Sequence, residues 1–148
     1  MPQDTWRRRL TELGARLPLA EPAERSTLAA TERALALPLP AELRALLAEC
    51  DGVLDRYGTE IVWRAEELAN RNDEFRRSPE LRELYMPFDA VLFFGDAGNG
   101  DRYFHRVLGG EVRDPDVYVW DHETDSRVWR FAGLEAFLRA VLKETPER

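Results

Sequence analysis

The chain is poor in the residues that most often carry chemistry: it has one cysteine and two histidines in 148 residues. A lone cysteine excludes an internal disulfide framework and fits a reducing compartment. Cys50 follows Leu43, Leu46 and Leu47 at helical spacing, so a small buried core residue is expected there and not a reactive thiol. No apolar run approaches the roughly 20 residues that span a bilayer. The opening MPQDTWRRRL has no apolar stretch behind its charges, so a secretory signal is not expected and a cytoplasmic location is. Positive charge is also in deficit, with 21 Lys and Arg against 28 Asp and Glu, a net charge of -7 and a pI of about 5.0. Such a chain is repelled by nucleic-acid phosphates and anionic lipid, so neither nucleic acid nor membrane is expected as a partner. A basic protein is the natural complement. The local basic clusters at Arg7, Arg8 and Arg9 and at Arg76 and Arg77 read as solvated helix faces.

What is present is a folded composition, 44% hydrophobic and 33% charged, long enough for one domain over residues 1–148 with a real core. Trp6, Leu10, Leu13 and Leu17 recur at helical spacing and predict a first helix, with Asp4 or Thr5 near its N-cap and Pro18 ending it. A second helix is expected from Pro22 to Ala36. A third is expected to start at Pro40, whose missing N–H costs nothing in a first turn. Asp51-Gly52 stops it.

Val53-Leu54 and Ile61-Val62-Trp63 flank Tyr57-Gly58 and read as a hairpin. Residues 65–85 read as helical, with Ser78 capping and Pro79 opening a second short helix, and Pro87 closing the region. Residues 90–94, AVLFF, predict a strand buried on both faces, and Arg102 to Leu108 predicts an outer strand. DVYVW and SRVWRF predict a further hairpin across Asp121 to Asp125. A last helix follows Gly133, with Leu134, Phe137, Leu138, Val141 and Leu142 on one face, and the tail TPER has no pattern. Helices, then mostly antiparallel strands, then one helix make an α+β protein.

The segment that stands out is FFGDAGNGD, residues 93–101, a buried strand running into a turn with glycines at 95, 98 and 100. Its simplest role is a tight connection between adjacent strands, with Asp96, Asn99 and Asp101 capping their own turn. Phosphate binding is a poor fit. The spacing is G-x-x-G-x-G, no helix pattern follows, and Asp101-Arg102 stand where a P-loop needs a Lys and a hydroxyl residue. A calcium loop starting at Asp96 would place Asp101 at the required glycine and Val107 at the required Glu, so that motif fails too. Display of polar side chains to a protein partner needs no special spacing and stays open.

Neither histidine carries a catalytic signal. His105 alternates with Tyr103 and Val107 in a strand pattern and reads as structural. His122 lies among Asp121, Glu123 and Asp125 without a second His or Cys at ligand spacing, so a solvated turn is expected and no metal or other cofactor. Nothing in the sequence pairs Cys50 with either histidine, and G-x-S-x-G and H-E-x-x-H are absent. Alternation puts Tyr118 and Trp120 on one face of their strand and Val117 and Val119 on the other, so the second face is either covered by helices or free for a partner. Trp120 is the aromatic interface candidate.

These residues resemble the SUKH superfamily, the Smi/Knr group. Glu32, Leu35, Leu39, Pro40, Leu43, Leu46, Leu47, Asp51 and Gly52 follow the order of its N-terminal pattern, with Ala36 where the family often has glycine. Phe94, Gly95, Asp96, Gly98, Asn99, Gly100 and Asp101 match its later strand-and-turn pattern, and DVYVWDHETDSRVW is similar to its C-terminal hairpin. The resemblance runs from about Glu32 to the last helix, and residues 65–85 have no clear family pattern. It implies an α+β fold, a largely antiparallel sheet flanked by N-terminal helices and a C-terminal helix. It also implies action through protein contacts. Many bacterial members look like immunity proteins that neutralise toxins, and fungal members resemble them in fold and regulate cell-wall synthesis. No catalytic set is implied, so no enzyme is expected. The expected partner-binding residues are Asp96, Asn99, Asp101, Trp120 and Asp121, facing a protein partner for which a basic toxin domain is the candidate. Two alternatives stand beside this: a regulatory scaffold domain, and a small hydrolase or ligand-binding protein built on the glycine-rich turn with His105 or His122 in a pocket there.

Overall fold

The structure, a computed structural model, describes residues 5–143; the expected cap Asp4 and the tail TPER lie outside that range. Three helices come first: α1 (Thr5–Leu13), α2 (Arg25–Leu35) and α3 (Ala41–Glu49). A short hairpin, β1 (Val53–Leu54) and β2 (Glu60–Val62), leads into α4 (Ala65–Arg77) and α5 (Pro79–Leu84). Strands β3 (Val91–Asp96), β4 (Arg102–Arg106), β5 (Val117–Trp120) and β6 (Arg127–Phe131) follow, and α6 (Leu134–Lys143) closes the described chain. The four long strands form one antiparallel sheet in the order β3-β4-β5-β6. The fold is α+β.

Local chemistry explains most element boundaries. Ser78 accepts a hydrogen bond from the Leu81 N–H at 3.3 Å and Pro79 sits at the first position of α5, as the sequence predicts. Helix α1 stops at Leu13 and not near Leu17, because Gly14 takes a left-handed φ of +97° and its N–H returns to the Leu10 carbonyl. Leu17 is exposed as a result. Helix α2 starts three residues later than expected. The strand-like segment before it is tied to the end of α3, with Ala23 N–H donating to Leu47 O and Asp51 N–H to Glu21 O. Pro40 is the N-cap of α3 and not its first helical residue.

Both sheet faces are covered at β3 and β4, while β6 is largely exposed. On one, Phe93 and Trp120 meet Phe75 of α4 and Phe88, with Phe75–Phe93 centroids at 4.8 Å and Phe88–Trp120 at 5.5 Å, and Phe104 packs beside Phe93. On the other, Phe94, Tyr103 and Phe131 pack on Phe137 of α6, Tyr103 at 4.6 Å. A register shift between Val117 and Tyr118 buries Val117 and Trp120 together.

Strand β4 is interior, between β3 and β5, and not the outer strand its polar residues suggest. Those polar residues sit at the strand ends and fold back over rings. Arg102 lies 4.8 Å over Phe75, and Arg106 lies 5.5 Å over Tyr118. One terminal strand is instead β3, apolar from Val91 to Phe94. Its outer edge is not left to water. Asn72 of α4 accepts from Phe93 N–H at 2.9 Å and donates to Phe93 O at 2.9 Å, Arg76 donates to Val91 O at 3.0 Å, and Trp63 N–H donates to Phe94 O at 2.7 Å. The side chains of α4 thus act as a surrogate strand.

The basic clusters are only partly solvated faces. Arg7 turns inward to the carbonyls of Ala20 and Glu49, and Arg9 pairs with Glu135 at 3.1 Å. Arg76 is partly buried, and burial lowers its pKa. Cys50 is fully buried with Sγ 3.1 Å from Gly52 O, and burial pushes its thiol up, as suits an inert core residue.

Candidate protein-interaction surface

Three turns meet at one end of the molecule: 55–59 between β1 and β2, 97–101 between β3 and β4, and 121–126 between β5 and β6. Their contact demands the glycines of the sequence motif. A Cβ at Gly95 would lie 1.8 Å from the Ile61 carbonyl oxygen, so β2 could not approach β3 with any other residue there. A Cβ at Gly100, whose φ is +99°, would lie 2.6 Å from the His122 ring. The two glycines therefore let the first and third turns close on the second.

Asp96 anchors this end from below. Its carboxylate accepts from Trp63 Nε1 at 3.2 Å and Arg71 Nη1 at 3.4 Å, and Arg102 Nε lies 3.2 Å away as a charge contact without hydrogen-bond geometry. Arg71 also reaches Glu60 at 2.9 Å and Glu67 at 3.0 Å, and stacks 4.6 Å over Trp63. Burial alone would lower the Arg71 pKa, but hydrogen bonds to Glu67 and Glu60 and the charges of Glu60 and Asp96 raise it. Asn99 Oδ1 accepts from the Asp101 N–H at 3.0 Å and Ala97 N–H bonds to Asp101 O, which is the self-capped turn the sequence predicts. Asp101 accepts from His122 twice, from its N–H at 3.1 Å and its Nδ1 at 2.7 Å. Burial works to raise the Asp101 pKa, yet these His122 hydrogen bonds and the His122 charge leave it below the usual carboxylate range. Asp121 accepts from Glu123 and Thr124 N–H groups in its own turn.

Asp101, Asp121 and His122 come within 4.8 Å of one another through a candidate ligand atom each. The His122–Asp101 hydrogen bonds account for one pair, and Asp121 is the chain neighbour of His122. Asp96 lies apart, on the Trp63–Arg71 side.

Trp120 does not belong to the surface. It is 2% exposed, its indole N–H donates to Asp125 at 2.8 Å, and it packs among Phe75, Tyr85, Phe88 and Phe93. A β5 side chain on this face lies under α4 and the 85–88 segment, which the strand alternation could not reveal. The exposed tryptophan is Trp129 on β6, 51% exposed beside Val128 at 53%. It was visible in the sequence only as the other arm of the hairpin.

The turns leave a broad, open depression lined by Leu54, Glu60, Asp96, Gly98, Gly100 and Arg102 among others, and neither histidine lines it. His105 is buried, stacked on Phe94 at 4.8 Å, with Nδ1 2.9 Å from the Asp116 carbonyl; burial lowers its pKa. The surviving display is carboxylates on a stiff frame. Glu60, Asp96, Asp101, Asp121, Glu123 and Asp125 stand at this end, with Asp55 buried behind them, against Arg16, Arg56, Arg71, Arg102 and Arg127.

An α+β sheet domain with a glycine-locked turn cluster and an acidic end is the class of protein these observations define. The chain belongs to the SUKH family described as SMI1-KNR4 cell-wall, whose pattern it matches over residues 25–138. None of the curated proteins matches it.

The residues that carry the likeness have structural work to do. Glu32 Oε2 accepts from the Leu39 N–H at 2.8 Å and Arg44 Nε at 3.3 Å, holding the Leu-Pro segment against α2. Asp51 Oδ1 accepts from the Ala65 N–H at 2.8 Å, in the first turn of α4. Ala36 ends α2 in the left-handed conformation, φ 60° and ψ 33°, which is why glycine suits that place. No described helix is long and apolar enough to cross a membrane.

Proposed function

We propose that this chain is a non-catalytic, cytoplasmic protein-binding domain that neutralises a toxin by seating a basic surface of it on the acidic turn end. The observation that supports this most is the convergence of three turns into one acidic rim, with Glu123 exposed, Asp121 held by N–H groups of its own turn and Asp101 held by His122. A rim already ordered loses little entropy on binding, and surplus negative charge speeds encounter with a cationic partner. Trp129 stands next to that rim on β6 and supplies the large exposed aromatic that interfaces favour. Family membership supports action through protein contacts.

The experiment is growth rescue. Each product encoded beside this chain is expressed in a bacterial host with and without it, and complexes are isolated from the rescued cells. One toxic neighbour, rescue, and a stable complex whose association slows as salt rises are expected. Rescue without a complex would remove direct binding from the reading. A complex whose association ignores salt would remove the acidic rim. A complex with a neighbour that is not toxic would favour a regulatory scaffold.

A further inference from the structure

The four-stranded sheet ends in β3 on one side and β6 on the other. Side chains of α4 close the β3 edge. Among the described residues no strand pairs with the outer edge of β6, and Val128, Trp129 and Arg130 are exposed there. The hairpin fixes where the backbone groups of β6 point. Asp121 N–H donates to Ser126 O at 2.9 Å, so the next pair, Trp120 with Arg127, is a non-hydrogen-bonded one. Alternation then turns the Val128 groups toward Val119 and sends the N–H and C=O of Arg127 and Trp129 outward. No proline blunts residues 126–131. Water can satisfy an open edge, so the edge alone names no occupant; the side chains do.

Charge along this edge runs from acidic to basic. Asp121, Glu123 and Asp125 precede β6, and Arg130 near its end makes no ion pair among the described residues. A strand of this kind complements itself when reversed. We propose that β6 pairs antiparallel with β6 of a second copy of this chain, on a two-fold axis at Val128. In that register Arg127 stands opposite Trp129 of the second copy, and both have outward backbone groups to exchange. Val128 faces Val128, the two Trp129 rings lie on the diagonal within aromatic reach, and no like charges stand opposite each other. Arg130 comes alongside Ser126 and the acidic turn of the second copy, which is the charge complement it lacks within one chain. The β3 edge is closed, so each chain has one open edge and the pairing ends at two copies. The register shift after Trp129 keeps the seam short, and a net charge of -7 on each copy opposes the approach, so the dimer is concentration-dependent. This goes beyond the toxin reading and does not rest on it, because the chain alone carries the test. The pair covers Trp129, so a partner that uses this tryptophan meets the monomer.

The test is sedimentation equilibrium of the full chain from about 10 μM to about 1 mM, with a monomer–dimer equilibrium and no larger species expected. Val128→Lys sets like charges face to face on the axis and should abolish the dimer. Val128→Glu should do the same, and an equimolar mixture of the two variants should restore association as a heterodimer. Val128 is exposed, so both variants should fold, which urea unfolding checks. Trp129→Ala should weaken the dimer about tenfold. Val128→Cys should cross-link on mild oxidation, since a non-hydrogen-bonded antiparallel pair holds its Cα atoms about 4.5 Å apart, and Cys50 is too buried to compete. A chain still monomeric at about 1 mM, a dimer indifferent to Val128→Lys, or no rescue on mixing would overturn the proposal. A monomer whose Val128→Lys variant loses the partner isolated by growth rescue would overturn it too, and would assign the edge to a strand of that partner.

Discussion

Asn72 is where the architecture is most exposed to a single change. Its side chain is 1% exposed and joins α4 to β3 through Phe93 N–H and Phe93 O, both at 2.9 Å, while also donating to Leu68 O at 2.8 Å. The N–H and C=O of one strand residue point to the same side, so neither Phe93 group can turn to β4 when Asn72 is lost. Asn72→Ala leaves two buried backbone groups without partners, at about 1–3 kcal/mol each, and the expected loss is about 3–5 kcal/mol with the small cavity included. In a domain of this size that lowers Tm by roughly 8–16 °C. Asn72→Leu restores the volume but not the bonds, so it should lose nearly as much, which separates hydrogen bonding from packing. The assay is urea and thermal unfolding, with amide exchange at Phe93 as the local reporter. A loss below about 1 kcal/mol in both variants, or a Phe93 amide still protected in Asn72→Ala, would refute the surrogate-strand argument.

Four further outcomes are expected. Gly95→Ala places a methyl group 1.8 Å from the Ile61 carbonyl and should cost more than about 3 kcal/mol, whereas Gly98→Ala, which meets only the Thr59 side chain at 3.4 Å, should cost about 1 kcal/mol for its positive φ; urea unfolding ranks them. Ala36→Gly should stabilise by up to about 1 kcal/mol by relieving the left-handed α2 terminus, seen as a higher urea midpoint at unchanged slope. Trp120→Ala should cost about 3–5 kcal/mol, while Trp129→Ala should leave stability within about 1 kcal/mol and weaken partner binding at least about tenfold by calorimetry. Asp101 and Asp125 are both held below the usual carboxylate range. Burial opposes the shift in each. His122 bonds overcome it at Asp101, and the Met86 N–H, Arg127 and Trp120 overcome it at Asp125. Their folded pKa values lie below the unfolded value of about 3.9, so the stability they contribute is present above that pH and lost as pH falls below it. Asp101→Asn and Asp125→Asn should therefore flatten the acid limb of stability measured across that range.

Much of the fold was legible because it depends on local periodicity. The leucine stripe of α3, the Ser78-Pro79 start of α5, the apolar β3 and the β5–β6 hairpin all follow from residues a few positions apart. What escaped were matters of neighbourhood. Arg102 and Arg106 make β4 look like an outer strand, yet their guanidinium groups lie over Phe75 and Tyr118 from other elements. Trp120 and Trp129 are alike in the hairpin pattern, and only the position of α4 and the 85–88 segment decides which is buried. At the candidate surface, the self-capping of Asn99 and Asp101 was readable from turn chemistry. The pairing of Asp96 with Trp63 and Arg71, 33 and 25 positions away, had no local signal. Nor had the need for glycine at 95, which comes from a carbonyl in β2.

The glycine-rich turn has two roles that separate physically. Gly95 and Gly100 are demanded by what lies against them, the Ile61 carbonyl and the His122 ring, so they set how closely three turns pack. The carboxylates set the field that this packed end projects. Rigidity acts mainly on how long a complex lasts, because an ordered rim gives up little freedom on binding. Charge at a rim acts mainly on how fast a complex forms, because steering operates before contact. If the acidic end is the binding surface, removing the exposed Glu123 slows association and its salt dependence while dissociation changes little. Loosening the frame at Gly100 does the reverse, since a displaced His122 ring frees Asp101 and the 121–126 turn together. A turn built this way permits its outer residues to change without disturbing the glycines that hold its shape.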